Sequence, residues 1–173
     1  MIETKGSKIK GPVGLAFSPT ANLFLVLDKK QLTARKAKFA MISHLEDLVD
    51  SVNVATAIAD PVNSAFDVKA NRLLFFDATL NQLGAIKASS AGKPDSSAGA
   101  ITRFDGRQYG VAHPRGITLD PATGRLFILD ASATQIVRIT PDAQQGFDGD
   151  AAKRDGRISQ IDLKGAGLAN LQS

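Results

Sequence analysis

Three windows of the chain align without a gap: "GPVGLAFSPTANLFLVLD" (11–28), "DPVNSAFDVKANRLLFFD" (60–77) and "HPRGITLDPATGRLFILD" (113–130). They recur at a period of about 50 residues. A repeat of that length restricts the fold more than any composition does. Each copy is one supersecondary unit that must bury its apolar surface against its neighbours.

The shared positions have physical meanings. Each copy opens on a proline (Pro12, Pro61, Pro114), which lacks an N–H and suits the start of a strand. Gly14, Asn63 and Gly116 follow two residues later, types that tolerate positive φ and close backbone approach. After a short apolar-biased run, the turns "SPTAN", "DVKAN" and "DPATG" end on Asn22, Asn71 and Gly124, residues for a left-handed turn position. The second runs, "FLVL", "LLFF" and "LFIL", carry the apolar density of strands buried on both faces. Each copy then closes on an aspartate: Asp28, Asp77, Asp130. An aspartate between a buried strand and a turn is placed to accept backbone N–H groups, so these three read as structural. Gln31, Gln82 and Gln135 lead into a third strand, and "AITRF" (100–104) and "ISQIDL" (158–163) supply a fourth.

Four short strands per repeat of about 50 residues is the pattern of a β-propeller blade. The P-x-G-hydrophobic … G-R-L-hydrophobic … D arrangement over 11–173 resembles the NHL-type repeat of six-bladed β-propellers. The expected fold is therefore all-β, with about three blades of four antiparallel strands. Residues 11–59 form blade 1, 60–112 blade 2, and 113–173 blade 3 with a lead-in to a missing blade. Residues 1–10 are an amino-terminal segment or the fourth strand of a preceding blade. Propellers close with about 4–8 blades, so the ring is completed by a second copy or by the remainder of a longer propeller chain. A sandwich of antiparallel hairpins is the structural rival.

Composition narrows the chemistry. The chain has no cysteine, which excludes disulfides, thiolate catalysis and cysteine-ligated zinc. It holds no apolar run of membrane-spanning length, and "MIETKGSKIK" lacks the apolar core of a secretory signal. It therefore reads as cytoplasmic, or as part of a longer secreted bacterial protein. There is no tryptophan and one tyrosine, Tyr109, too few for a sugar-stacking platform. No Gly-rich phosphate loop, G-x-S-x-G elbow or H-E-x-x-H helix is present.

Departures from the repeat are where loops carry sites. In "MISHLEDLVDSV" (41–52) the apolar residues fall at helical spacing, and Ser43 with Glu46 fits a capping box. This predicts a short helix packed on the blade, or the fourth strand of blade 1 with misleading periodicity. "KASSAGKPDSSAGA" (87–100) has the composition of a mobile loop. The matching segment of blade 3 holds Asp142, Asp148, Asp150 and Asp155. Asp148, Asp150 and Asp155 are a candidate calcium loop, though without EF-hand spacing and with Lys153 and Arg154 opposing a cation.

Three functions follow. The leading expectation is a non-catalytic binding or scaffold module with no cofactor. The second is a metal-centred lyase or lactone hydrolase. Resemblance to propeller enzymes of the amidating-lyase type nominates His113 and Asp60 as ligands, two where a catalytic zinc normally has three. The third is RNA binding through Lys29, Lys30, Arg35, Lys36 and Lys38, with a net charge of +4. It ranks last, because alternate strand residues face opposite ways and few aromatics remain for stacking.

Overall fold

The computed structural model describes residues 9–29, 37–45, 47–54 and 58–167. They form three four-stranded antiparallel sheets, each from one contiguous segment in simple up-and-down order. The first contains β1 (Pro12–Ser18), β2 (Leu23–Asp28), β3 (Ala37–Ser43) and β4 (Leu48–Val54). The second contains β5 (Pro61–Asp67), β6 (Arg72–Asp77), β7 (Gln82–Lys87) and β8 (Ile101–Asp105). The third contains β9 (Pro114–Leu119), β10 (Leu126–Asp130), β11 (Gln135–Ile139) and β12 (Ile158–Asp162), with a short helix α1 (Gly149–Arg154) before its last strand. β5 lies between β1 and β9, so the first strands line a common axis and the sheets radiate from it. These are three blades of a β-propeller.

Alternation along the second strands explains why they read as unbroken apolar runs. In β6, Leu73 and Phe75 enter the core shared with blade 1, while Leu74 and Phe76 enter the core shared with blade 3. Successive strand residues point to opposite faces, and a middle blade has a neighbour on each. Leu25, Leu27, Phe39 and Met41 complete the first core, and Ile128, Val137 and Ile139 the second.

The turn residues behave unequally. Asn22, Asn71 and Gly124 all adopt positive φ, as their types predict. At the earlier glycine-like position only Gly14 does so, at +74°. Its missing Cβ admits the Ser64 backbone, whose nitrogen would lie 2.8 Å from an added carbon. Asn63 instead works through its side chain, accepting from the Ser64 N–H at 2.7 Å. Asn81 and Thr134, just before β7 and β11, are further left-handed positions that the sequence reading missed.

Two local expectations are corrected. Of the two readings of residues 41–52, the helix is overturned and the fourth strand of blade 1 is found. Met41 and Ile42 belong to β3, Leu48 to Val52 belong to β4, and the apolar spacing arises from two strands with a turn between them. Ser43 Oγ accepts from the N–H groups of Leu45 and Asp47, so it closes that turn rather than capping a helix. Glu46 lies outside the described residues. The Ser/Gly-rich segment is a docked loop. Ala88 bridges Pro94, Ser89 and Lys93 pair through their backbones, and Ser18 Oγ donates to the Gly92 carbonyl at 2.9 Å. Gly92 is small because a Cβ there would collide with Ser18 and Ala21 of blade 1.

The blade 3 loop reaches back in the same way. Arg72, held by Asp67 at 2.9 Å, donates to the Gln145 carbonyl and lies over the Phe147 ring. Tyr109 Oη donates to the Phe147 carbonyl at 2.6 Å inside the second core. Burial, reinforced by the carboxylates of Asp148 and Asp105, pushes the phenol pKa up and keeps it a donor. Tyr109→Phe leaves that buried carbonyl unpaired. The expected loss is about 1–3 kcal/mol of unfolding free energy in urea titration.

Candidate functional site

The repeated aspartates form one device used three times. Pro12, Pro61 and Pro114 pair across the sheet with Asp28, Asp77 and Asp130. A proline gives the ladder no N–H, and the carboxylate opposite it takes the two preceding ones instead. Asp28 accepts from Lys10 and Gly11 at 3.0 and 2.9 Å. Asp77 accepts from Ala59 and Asp60 at 2.6 and 3.2 Å, and from Leu80 at 3.0 Å. Asp130 accepts from Ala112 and His113 at 2.9 and 3.1 Å, and from both Ser132 groups. All three side chains are buried. Burial opposes ionisation of Asp130, but the bonds from Ala112, Ser132 and His113 outweigh it and hold its pKa below the usual carboxylate range.

These clamps place Gly11, Asp60 and His113 at equivalent points beside the axis. The Asp60 carboxylate is ion-paired with Lys29 Nζ of blade 1. In the next blade Ala78 takes the place of that lysine, and His113 is exposed. Among the described residues no three His, Cys, Asp or Glu side chains come together. Asp60 and His113 therefore stand as two donors, one of them already engaged, and do not by themselves fit a catalytic zinc site.

The proposed calcium loop is organised by its own backbone. Asp148 caps α1 by accepting from Ala151 N–H, Asp150 lies in the first turn, and Asp155 is at the carboxyl end. Asp142 closes a separate turn through Gln144 and Gly146. Of the basic run, Lys29 is paired with Asp60 and Lys38 lies in β3. Lys30, Arg35 and Lys36 are outside the described residues, as is Gln31.

An open groove of about 370 Å³ runs along the axis between the first strands of the three blades. Its lining is apolar or neutral: Leu15, Phe17, Asn63, Ser64, Thr118 and Leu119 set its character. The Asn63 amide is committed to the Ser64 N–H and the Ile117 carbonyl. Ser64 Oγ is buried and has no hydrogen-bond partner among the described residues. Thr118 is exposed in the groove. The sequence reading missed this lining because no motif marks it. The residues meet only when three strands separated by about 50 residues converge.

The fold and this groove define the class, a β-propeller segment. No protein-family model and no curated protein sequence matches the chain. Solved structures do. A luciferin-regenerating enzyme aligns over 93% of this chain and 50% of its own, with a TM-score of 0.61 and 12% identity. Regucalcin, a calcium-binding protein from Agrobacterium tumefaciens C58, aligns over 87% and 45%, with a TM-score of 0.58 and 12% identity. A chain of a nidogen/laminin complex aligns over 76% and 45%, with a TM-score of 0.56 and 20% identity. This chain spans about half the length of these neighbours, and the likeness is one of fold. Among the described residues no helix is long and apolar enough to cross a membrane.

Proposed function

We propose that this chain is a non-catalytic binding module of NHL-like β-propeller type that takes an uncharged ligand or protein segment in its axial groove. The observation that carries this reading is the lining itself. Leu15, Phe17 and Leu119 give it apolar side chains, and the exposed Thr118 hydroxyl is the neutral polar group open to a ligand. A pocket of that composition suits recognition by shape with a few orienting hydrogen bonds. Among the described residues that line the groove, none is an acid or a base. The neighbours supply both precedents, a nidogen/laminin complex and an enzyme, so the choice rests on the groove.

The test is a thermal-shift screen of neutral metabolites and uncharged peptides, with Thr118→Arg as the control variant. Hits that raise the midpoint in the wild type and are lost in Thr118→Arg support the module. Saturable binding of Zn²⁺ or Ca²⁺ by calorimetry, together with lactone hydrolysis that disappears in Asp60→Asn/His113→Ala, would overturn it in favour of a metal-centred enzyme.

A further inference from the structure

We infer that a second copy of this chain seats on the outward faces of blades 1 and 3, so that two three-bladed halves close one six-bladed ring. The repeat shows which surfaces are built for this contact. Blades 1 and 2 each offer the following blade the alternate residues of the second strand, Leu25 and Leu27 or Leu74 and Phe76. All four are 0% exposed. At the same positions blade 3 carries Phe127 and Leu129, equally apolar but only partly covered. With Ile136 they flank a shallow depression of about 250 Å³. Nearby Ile161 occupies the place of Phe104, which in blade 2 receives Phe147 from the following blade.

Blade 1 shows the complementary defect. Its residues Leu15 and Phe17 are 54% and 42% exposed. Their equivalents facing a preceding blade are Ser64 and Phe66 in blade 2, at 3% and 8%, and Ile117 in blade 3, at 5%. Blade 3 thus presents a face made for a following blade, and blade 1 a face made for a preceding one. Both continue the blade-on-blade contact already formed twice within the chain. A second copy related by a two-fold axis satisfies both at once, with blade 1 of each protomer on blade 3 of the other.

Size agrees with this occupant. Propellers close with about 4–8 blades, and the luciferin-regenerating enzyme, which aligns over 93% of this chain, is about twice as long. A second half of equal size makes six blades. The inference stands on the repeat positions and does not depend on what the groove holds. Large, unaccompanied apolar faces on a soluble domain mark interaction surfaces, and a head-to-tail contact gives a closed ring when its rotation closes.

The experiment is sedimentation equilibrium of the full chain across a dilution series, with Leu15→Lys and Leu129→Glu as variants. The wild type is expected at twice the mass of one chain. Each variant alone is expected to dissociate at least tenfold more readily, with an unchanged far-ultraviolet circular dichroism spectrum. An equal mixture of the two is expected to recover the dimer, because one contact is then unaltered and the other sets Lys against Glu. A wild-type monomer at every concentration would overturn the inference and assign the faces to further blades of a longer polypeptide. Open polymers would overturn it too, as would a dimer that the mixture fails to restore. The wild-type mass alone decides the matter if a variant does not fold.

Discussion

Phe75→Ala is expected to lower the free energy of unfolding by about 3–5 kcal/mol, the cost of deleting a fully buried ring, read from urea denaturation. Phe75 is completely buried at the centre of the core between blades 1 and 2. Its cross-strand partner in β7 is Gly84. The ring lies over that glycine so closely that an added Cβ would fall 2.1 Å from its tip. Gly84 is therefore retained as space for Phe75 rather than for its own backbone freedom. Gly84→Ala should cost about 1–3 kcal/mol by overpacking. In a Phe75→Ala background the same change should cost little, since the methyl then enters a cavity. The double-mutant cycle isolates the contact. Two additive losses would show that the ring is not what keeps position 84 small.

Asp130→Asn carries the second large effect. The substitution keeps the shape but removes the charge that strengthens the bonds from Ala112, His113 and Ser132. The expected loss at pH 7 is about 1.5–3 kcal/mol. Its pH dependence has a definite sign. The folded-state pKa lies below the usual carboxylate range, so the native state favours the ionised form more than the unfolded chain does. The contribution is complete above the unfolded pKa of about 4 and is lost as pH falls through the lower folded value. Paired urea titrations should therefore show a constant gap between wild type and variant from neutral pH to about 5, closing below about 4. A gap that persisted unchanged in acid would assign the effect to geometry instead of charge.

Both effects involve residues at repeated positions, and the sequence pointed to them for local reasons. The three prolines, the three aspartates and the left-handed Asn22, Asn71 and Gly124 all sit within hairpins. There the partner is at most about 20 residues away, and the backbone rule is short-range. The fourth strands β8 and β12 were also legible, although loops precede them. Where two elements fell within one window, the sequence left a helix and a fourth strand as alternatives, and the structure holds the strand. Positions 41–52 satisfy helical spacing only because β3 ends and β4 begins within one window. The Ser/Gly loop misled for the opposite reason. Small residues permit tight docking as readily as freedom, and the bond from Ser18 to Gly92 spans 74 residues.

The candidate site divides along the same line. Asp60 and His113 could be placed beside the axis from the repeat alone. The ion pair of Asp60 with Lys29, the buried Ser64 hydroxyl and the neutral lining of the groove could not. By itself the sequence determined the strands, their turns and which alternate side chains share a face, because alternation and φ preferences act between near neighbours. Only the tertiary structure decided which faces meet, which loops latch blade to blade, and which apolar faces are left open. Those contacts join segments about 50 residues apart, and their selection depends on packing of whole blades around one axis.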